Sequence, residues 1–209
     1  MIGSGEVFEN PATGERAVVR VGTLESDGAL LVLDLYIPPI RAVPRTHLHP
    51  SMDERITVLQ GHVKMCLGRC ISLAVPGKQV TVPAGVAHDW WNAGESEAHV
   101  VEEMRPAGRF EELLLNRFGL AQDGKTDARG VPDLLQRAVM AFEFADVERP
   151  AGPRRALQGL LVAALAPLGW LCGRRGSNPR YLSRLPCARL DVTTADQRWH
   201  GSCPAGRTW

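Results

Sequence analysis

Apolar and polar positions alternate along the first hundred residues, and a helical spacing of apolar side chains sets in only after that. Residues 16–23 (RAVVRVGT) and 29–38 (ALLVLDLYIP) are rich in β-branched and aliphatic side chains, with Asp27-Gly28 as a turn signal between them. Similar short runs follow at 55–59, 62–67, 79–82 and 98–104, punctuated by Gly61, Pro76-Gly77, Pro83, Gly85 and Asn92-Ala93-Gly94. Strands this short and this evenly spaced predict an all-β barrel or sandwich.

The pattern changes near Gly108. Residues 109–118 (RFEELLLNRF) place apolar side chains at 110, 113, 114, 115 and 118, which predicts a helix. A polar loop over 120–130 is then expected, followed by a second helix to about Phe144 with Pro132 in its first turn, where its missing N–H costs little. A third helix is expected over 157–172 (LQGLLVAALAPLGWLC), whose only strongly polar side chain is Gln158. That stretch is shorter than the ~20 residues a membrane span needs, and Gly159, Pro167 and Gly169 weaken it as a helix. It is expected to pack against the barrel or a partner subunit, with weak peripheral membrane contact as the alternative. The chain thus divides into a β domain over 1–108, a helical extension over 109–172 and a basic tail over 173–209 without sustained periodicity, expected to be poorly ordered.

Composition narrows the picture a little. With 209 residues, 44% hydrophobic and 22% charged, the chain is long enough for one real core plus an appendage. Residues 1–10 contain Glu6 and Glu9 and lack the basic and apolar regions of a secretory leader, so a cytoplasmic location is expected. Cys66, Cys70, Cys172, Cys187 and Cys203 include no C-x-x-C pair and read as reduced thiols. The net charge of +1 hides an asymmetry, because nine arginines face only Asp191 and Asp196 after residue 150. Those arginines form no stripe interleaved with aromatics, which argues against nucleic acid as a partner.

One segment carries chemistry. In Thr46-His47-Leu48-His49 the two imidazoles share a face of an extended strand and can close on one ion. Glu54 follows after a bend at 50–52 and begins the next run with its carboxylate turned back. Two imidazoles and a carboxylate suit Fe, Mn, Ni, Zn or Cu and leave coordination positions open. An isolated H-x-H pair is usually a hydrogen-bonding feature, but a second module stands thirty residues on: Gly77, Pro83, Gly85, His88 and Asn92.

Together the two segments resemble the paired motifs of the cupin superfamily, G-x5-H-x-H-x3-4-E-x6-G and G-x5-P-x-G-x2-H-x3-N. His47, His49, Glu54 and Gly61 match the first, and Gly77, Pro83, Gly85, His88 and Asn92 fill the second; only the opening glycine departs, with Arg41 in its place. The resemblance covers residues ~25–108 and implies a jelly-roll β-barrel with added C-terminal helices. It makes His88 the fourth ligand beside His47, His49 and Glu54, holding one divalent ion (Fe, Mn, Ni or Zn). Gly61 fits a tight hairpin, and Asn92 fits a turn-capping role before Gly94.

Tyr36, Ile56, Val58 and Trp90 are candidate pocket residues, though Tyr36 reads more readily as a barrel-wall aromatic; Arg45 and Arg55 could stand at the mouth. His62 and His99 have no motif position. The apolar set Ile56, Val58 and Val82 with the tryptophans favours a small hydrophobic or aromatic substrate. On that basis the expected activity is of dioxygenase type. A metal-dependent isomerase or cyclase, with Glu54 loosening to act as base, and a non-catalytic small-molecule-binding protein are the alternatives. Homodimerisation is the expectation carried by the resemblance, with Leu113–Leu115, 134–135 and 160–161 as contributors.

Overall fold

The computed structural model describes residues 1–39, 46–68, 70–151 and 155–182. Arg41, Arg45, Cys187, Cys203 and the basic tail beyond Leu182 lie outside the described residues, so the expectations placed on them are not taken further.

The described residues form eleven strands and five helices, with most of the strands preceding the long helices. The first are β1 (Val7–Asn10), β2 (Glu15–Val21), a single turn α1 (Thr23–Ser26) and β3 (Leu31–Ile37). Next come β4 (His47–Leu48), β5 (Asp53–Gln60), β6 (Val63–Leu67), β7 (Cys70–Ala74), β8 (Gln79–Val82), β9 (His88–Asn92) and β10 (Ala98–Arg105). The helical part holds α2 (Phe110–Gln122), α3 (Leu134–Glu143), β11 (Arg149–Pro150), α4 (Arg155–Leu171) and α5 (Pro179–Leu182).

The strands form two antiparallel sheets, ordered β1-β2-β3-β10-β5-β8 and β11-β4-β9-β6-β7. This is the expected jelly-roll arrangement with one correction: among the described residues no ladder joins the sheets, so the barrel is an open two-sheet sandwich. Strand parity decides which side chains lie between the sheets. Leu31, Leu33 and Leu35 of β3, Ile56 and Val58 of β5, and Ala98, Val100 and Met104 of β10 meet Val63 and Met65 of β6 in one buried cluster. The β5–β6 hairpin turns at Gly61, where φ is +84° and a Cβ would stand 2.9 Å from the Ala98 Cα, so a side chain is excluded on both counts.

The helical part shares this core. Phe110, Leu113, Leu114 and Phe118 of α2, Met140 of α3, and Phe144 and Val147 beyond it are buried in the same cluster. α2 runs to Gln122, past the end expected at 118, because Leu120 and Ala121 are buried and continue its apolar face into the expected loop. α3 begins one step later than expected. Asp133 is its N-cap, with the side chain accepting from the Gln136 N–H at 2.9 Å, so Pro132 stands outside the first turn, bridging to Thr126. α4 crosses α3 closely at Gly169, where a Cβ would stand 2.4 Å from Val139 Cγ2. Residues 173–182 are docked: Tyr181 is buried over Gly119 of α2 and its hydroxyl donates to Asp123 Oδ2 at 2.8 Å.

Candidate metal centre

β4 and β9 are neighbours in one sheet, with His47 directly opposite His88. β5 belongs to the facing sheet, and its inward parity holds Glu54, Ile56 and Val58. The two sheets therefore bring His47, His49, Glu54 and His88 together, with one potential ligand atom from each within 4.8 Å of the others. His49, Glu54 and His88 are buried and His47 is half-buried, which makes His47 the member nearest solvent.

Hydrogen bonds fix which atoms point inward. His49 Nδ1 lies 2.8 Å from the Val147 carbonyl and His88 Nδ1 lies 2.9 Å from the Val86 carbonyl. A carbonyl can only accept, so Nδ1 carries the proton in each ring and the Nε2 lone pair is left for the cluster. Glu54 Oε1 accepts from Trp90 Nε1 at 2.8 Å, which leaves Oε2 facing the imidazoles, 2.6 Å from His88 Nε2 and 3.5 Å from His49 Nε2. Glu54 Oε2 and His88 Nε2 are fully buried and, despite their closeness, have no well-aligned hydrogen bond. Two buried atoms crowded together with lone pairs converging is the geometry of a shared cation, and this donor set suits a divalent first-row ion.

The electrostatics agree. Burial pushes the Glu54 carboxyl up, but the His49 and His88 imidazoles outweigh it and hold the group below the usual carboxylate range. Burial also favours neutral His47, with Glu148 opposing that and the other two imidazoles adding to it. His88 is raised, its burial outweighed by contact with Glu54.

Around the four lies a ring of charge that sequence reasoning did not single out. Glu102 of β10 is buried against Glu54, and burial, with the Glu54 charge beside it, raises its carboxyl well above the usual range. Glu148 is held by Arg117 of α2 at 2.7 and 2.8 Å; burial raises its carboxyl, but Arg117, His47 and His49 together bring it below the ordinary value. Glu15 of β2 is raised by burial, and Arg117 opposes that too. Strand parity carried the signal for Glu102, which shares the inward face of β10 with Ala98, Val100 and Met104. Nothing local marks Arg117 or Glu148, which arrive from the helical part.

The structure brings Ile56 and Val58 to the inward face beside Glu54 and puts the Trp90 indole on the Glu54 carboxylate. It does not bring Tyr36 there. Tyr36 has the parity opposite to Leu33 and Leu35, and it stacks on His99 at 4.3 Å with the Arg16 guanidinium 4.2 Å from its ring centre. His99 in turn contacts Asp34 at 2.5 Å, so this group decorates the outer face of the larger sheet. Arg55 pairs with Glu103 at 3.5 Å on the face opposite Glu54 and Ile56. Phe110 of α2 meets the His49 ring edge-on at 5.7 Å, closing the cluster from the helical side.

Residues 35–102 match the sequence profile of the Cupin_2 family, the cupin domain. Among solved structures, KdgF from Halomonas sp. aligns over 47% of this chain and 86% of its own, with 19% identity and a TM-score of 0.42. A sugar phosphate isomerase of the cupin superfamily from Silicibacter pomeroyi aligns over 46% of this chain and 62% of its own, less than two-thirds, with 21% identity and a TM-score of 0.39. The Cupin_2 domain of an XRE family transcriptional regulator from Enterobacter cloacae aligns over 44% and 95%, with 13% identity and a TM-score of 0.38. No curated protein matches the chain.

Proposed function

Because the chain is a cupin-domain protein, we propose that it is a mononuclear metal-dependent enzyme whose divalent ion is held by His47, His49, Glu54 and His88, and that it moves a proton on a small, polar hydroxy-carbonyl substrate. The observation that carries the metal reading is the pair of crowded, unbonded atoms, Glu54 Oε2 and His88 Nε2, with the Nδ1 atoms of His49 and His88 already committed to backbone carbonyls.

A divalent ion bound there supplies a Lewis acid that polarises a carbonyl. The surrounding side chains supply the proton chemistry. Trp90 keeps one oxygen of Glu54 occupied, so the carboxylate presents only Oε2. Glu102, buried beside Glu54 with its carboxyl raised well above the usual range by burial and by the Glu54 charge, is placed to give one. Glu148, kept ionised by Arg117, is placed to accept one at the half-buried His47 side. Surroundings that hold Glu102, Glu148 and Arg117 suit hydroxyl and carbonyl groups better than an aromatic ring, and this weighs toward the isomerase reading over the dioxygenase one.

Two measurements test the proposal. Protein purified without added metal should contain about one transition-metal ion per chain, and His49→Ala should contain less than a tenth of that. In deuterium oxide the metal-loaded protein should exchange the carbon-bound hydrogen beside the carbonyl of small hydroxy-ketones and hydroxy-aldehydes. Oxygen consumption with phenols or 1,3-diketones, without such exchange, would establish the oxygenase reading instead. Ligand retention with neither activity would leave a binding protein.

A further inference from the structure

α4 is an unusual helix for a surface. From Ala156 to Leu171 it contains no charged residue, and among the described residues only one of its faces is covered. That face is Ala166 and Gly169, seated on α3. At ~100° per residue, Leu157, Leu160, Leu161, Ala164, Leu168 and Leu171 fall within one stripe on the opposite side. All six are exposed, Leu160 at 70% and Leu171 at 84%.

The charges that flank the stripe along the sequence all have one sign. From Arg149 to Leu182 the sequence has six arginines and no aspartate or glutamate, with Arg154-Arg155 at the start of the helix and Arg174-Arg175 just after its end. Arg174 shares its charge with Asp133 at 2.7 Å, and Arg175 is exposed. A second copy of the chain is a poor occupant for this face. Parallel apposition would set Arg174-Arg175 of one copy on the same pair of the other. A protein face would need its own acidic residues at both ends to match. An anionic lipid surface answers both features, because acyl chains accept leucines and headgroups accept arginines at either end.

Length decides how the helix would sit. Seventeen residues rise about 25 Å, short of the ~30 Å hydrocarbon layer, and no helix among the described residues is long and apolar enough to cross a membrane. Fixed along α3 on one side, α4 can offer only its stripe. We propose that α4 is a monotopic anchor that lays the leucine stripe into the interface of an anionic bilayer and holds the metal-binding sandwich against it.

The test is flotation of the full chain with vesicles of phosphatidylcholine alone and of phosphatidylcholine mixed with phosphatidylglycerol. The chain should float with the mixed vesicles, and several-fold less with the neutral ones or at high salt. The double variant Leu160→Gln/Leu168→Gln should lose about tenfold or more in vesicle affinity, with unchanged circular dichroism and metal content because both side chains are exposed. Arg175→Ala should weaken binding about fivefold on the anionic vesicles alone. Three results would each overturn the proposal. They are no flotation, binding indifferent to lipid charge, and a lipid-free dimer that the leucine variant converts to monomer, which would put a second copy on this face.

Discussion

At the scale of single residues, the Trp90 indole is the strongest lever on the centre. Its N–H holds Glu54 Oε1 at 2.8 Å, so the carboxylate can offer only its other oxygen to an ion. Trp90→Phe keeps the ring and removes the donor. Metal affinity should fall about tenfold to a hundredfold, as when other outer hydrogen bonds to ligands are lost, and the metal-free form should lose about 1–3 kcal/mol because the buried Glu54 Oε1 is left without its donor; competition against a chromophoric chelator reads the first and calorimetry the second. Asp89 gives a second test. It is buried on the face of β9 opposite His88, its Oδ1 has no partner, and burial pushes its carboxyl up to about 6, the Trp90 amide and His88 opposing. A carboxyl raised in the folded state stabilises the fold below its unfolded value, and that contribution disappears as pH rises through the folded value. Asp89→Asn should therefore stabilise the protein at pH 7 to 8 by about 1 kcal/mol, discounted for partial solvation, and leave it unchanged near pH 4, as urea titrations at the two pH values would register. The four ligands and Asn92 are legible as letters at fixed spacing. Glu102 is legible only once strand parity is applied, and the Trp90 hydrogen bond not at all, since it crosses between sheets.

Among the elements, β9 matters most, because it carries His88, Asp89 and Trp90 on five residues. Asn92 at its end ties it down: the side-chain amide donates to the carbonyls of Ile37 and Ser96 at 2.8 Å each, and its oxygen accepts from the Gly94 amide at 2.8 Å. The turn-capping role expected of Asn92 is present, and the bond to β3 adds a link that local sequence cannot reveal. Asn92→Ala strands buried groups and should destabilise the fold by about 2–4 kcal/mol, with a parallel loss of metal affinity if His88 shifts; a variant that unfolds as the parent does would show that β9 is positioned by its ladder alone. β4 is recognisable as extended only through its histidine pair, being two residues long, and β9 is missing from the strand runs because HDWWN lacks the β-branched alternation that marked β2, β3 and β10. α2 and α3 were recognisable by period, but their ends were set by burial of Leu120 and Ala121 and by the Asp133 cap.

Across the whole molecule, the sandwich and the helical part meet at the centre. Val147 supplies the carbonyl that orients His49, Phe110 closes over its ring, Arg117 neutralises the outer carboxylates, and β11 pairs with β4. None of these contacts has a local signature, because each depends on where a segment separated by dozens of residues comes to rest. Ion occupancy should therefore stabilise strands and helices together: at a free-metal concentration about a thousandfold above Kd the gain is ~4 kcal/mol, and chelation should shift a single cooperative unfolding transition. The gain must also depend on pH, since protons compete for the same nitrogen atoms. In the metal-free protein the histidines oppose one another. His47 is depressed, so its share is present above the ordinary histidine value and lost as pH falls; His88 is raised by Glu54, so its share is present below that value and lost as pH rises. The two contributions to metal-free stability therefore have opposite signs across the histidine range. The metal-loaded protein needs every imidazole neutral, so the difference in melting temperature with and without metal should widen steadily from about pH 5 to about pH 7.5. A difference independent of pH would mean that the ion binds through carboxylates elsewhere, and two transitions instead of one would mean that the helices fold apart from the site they complete.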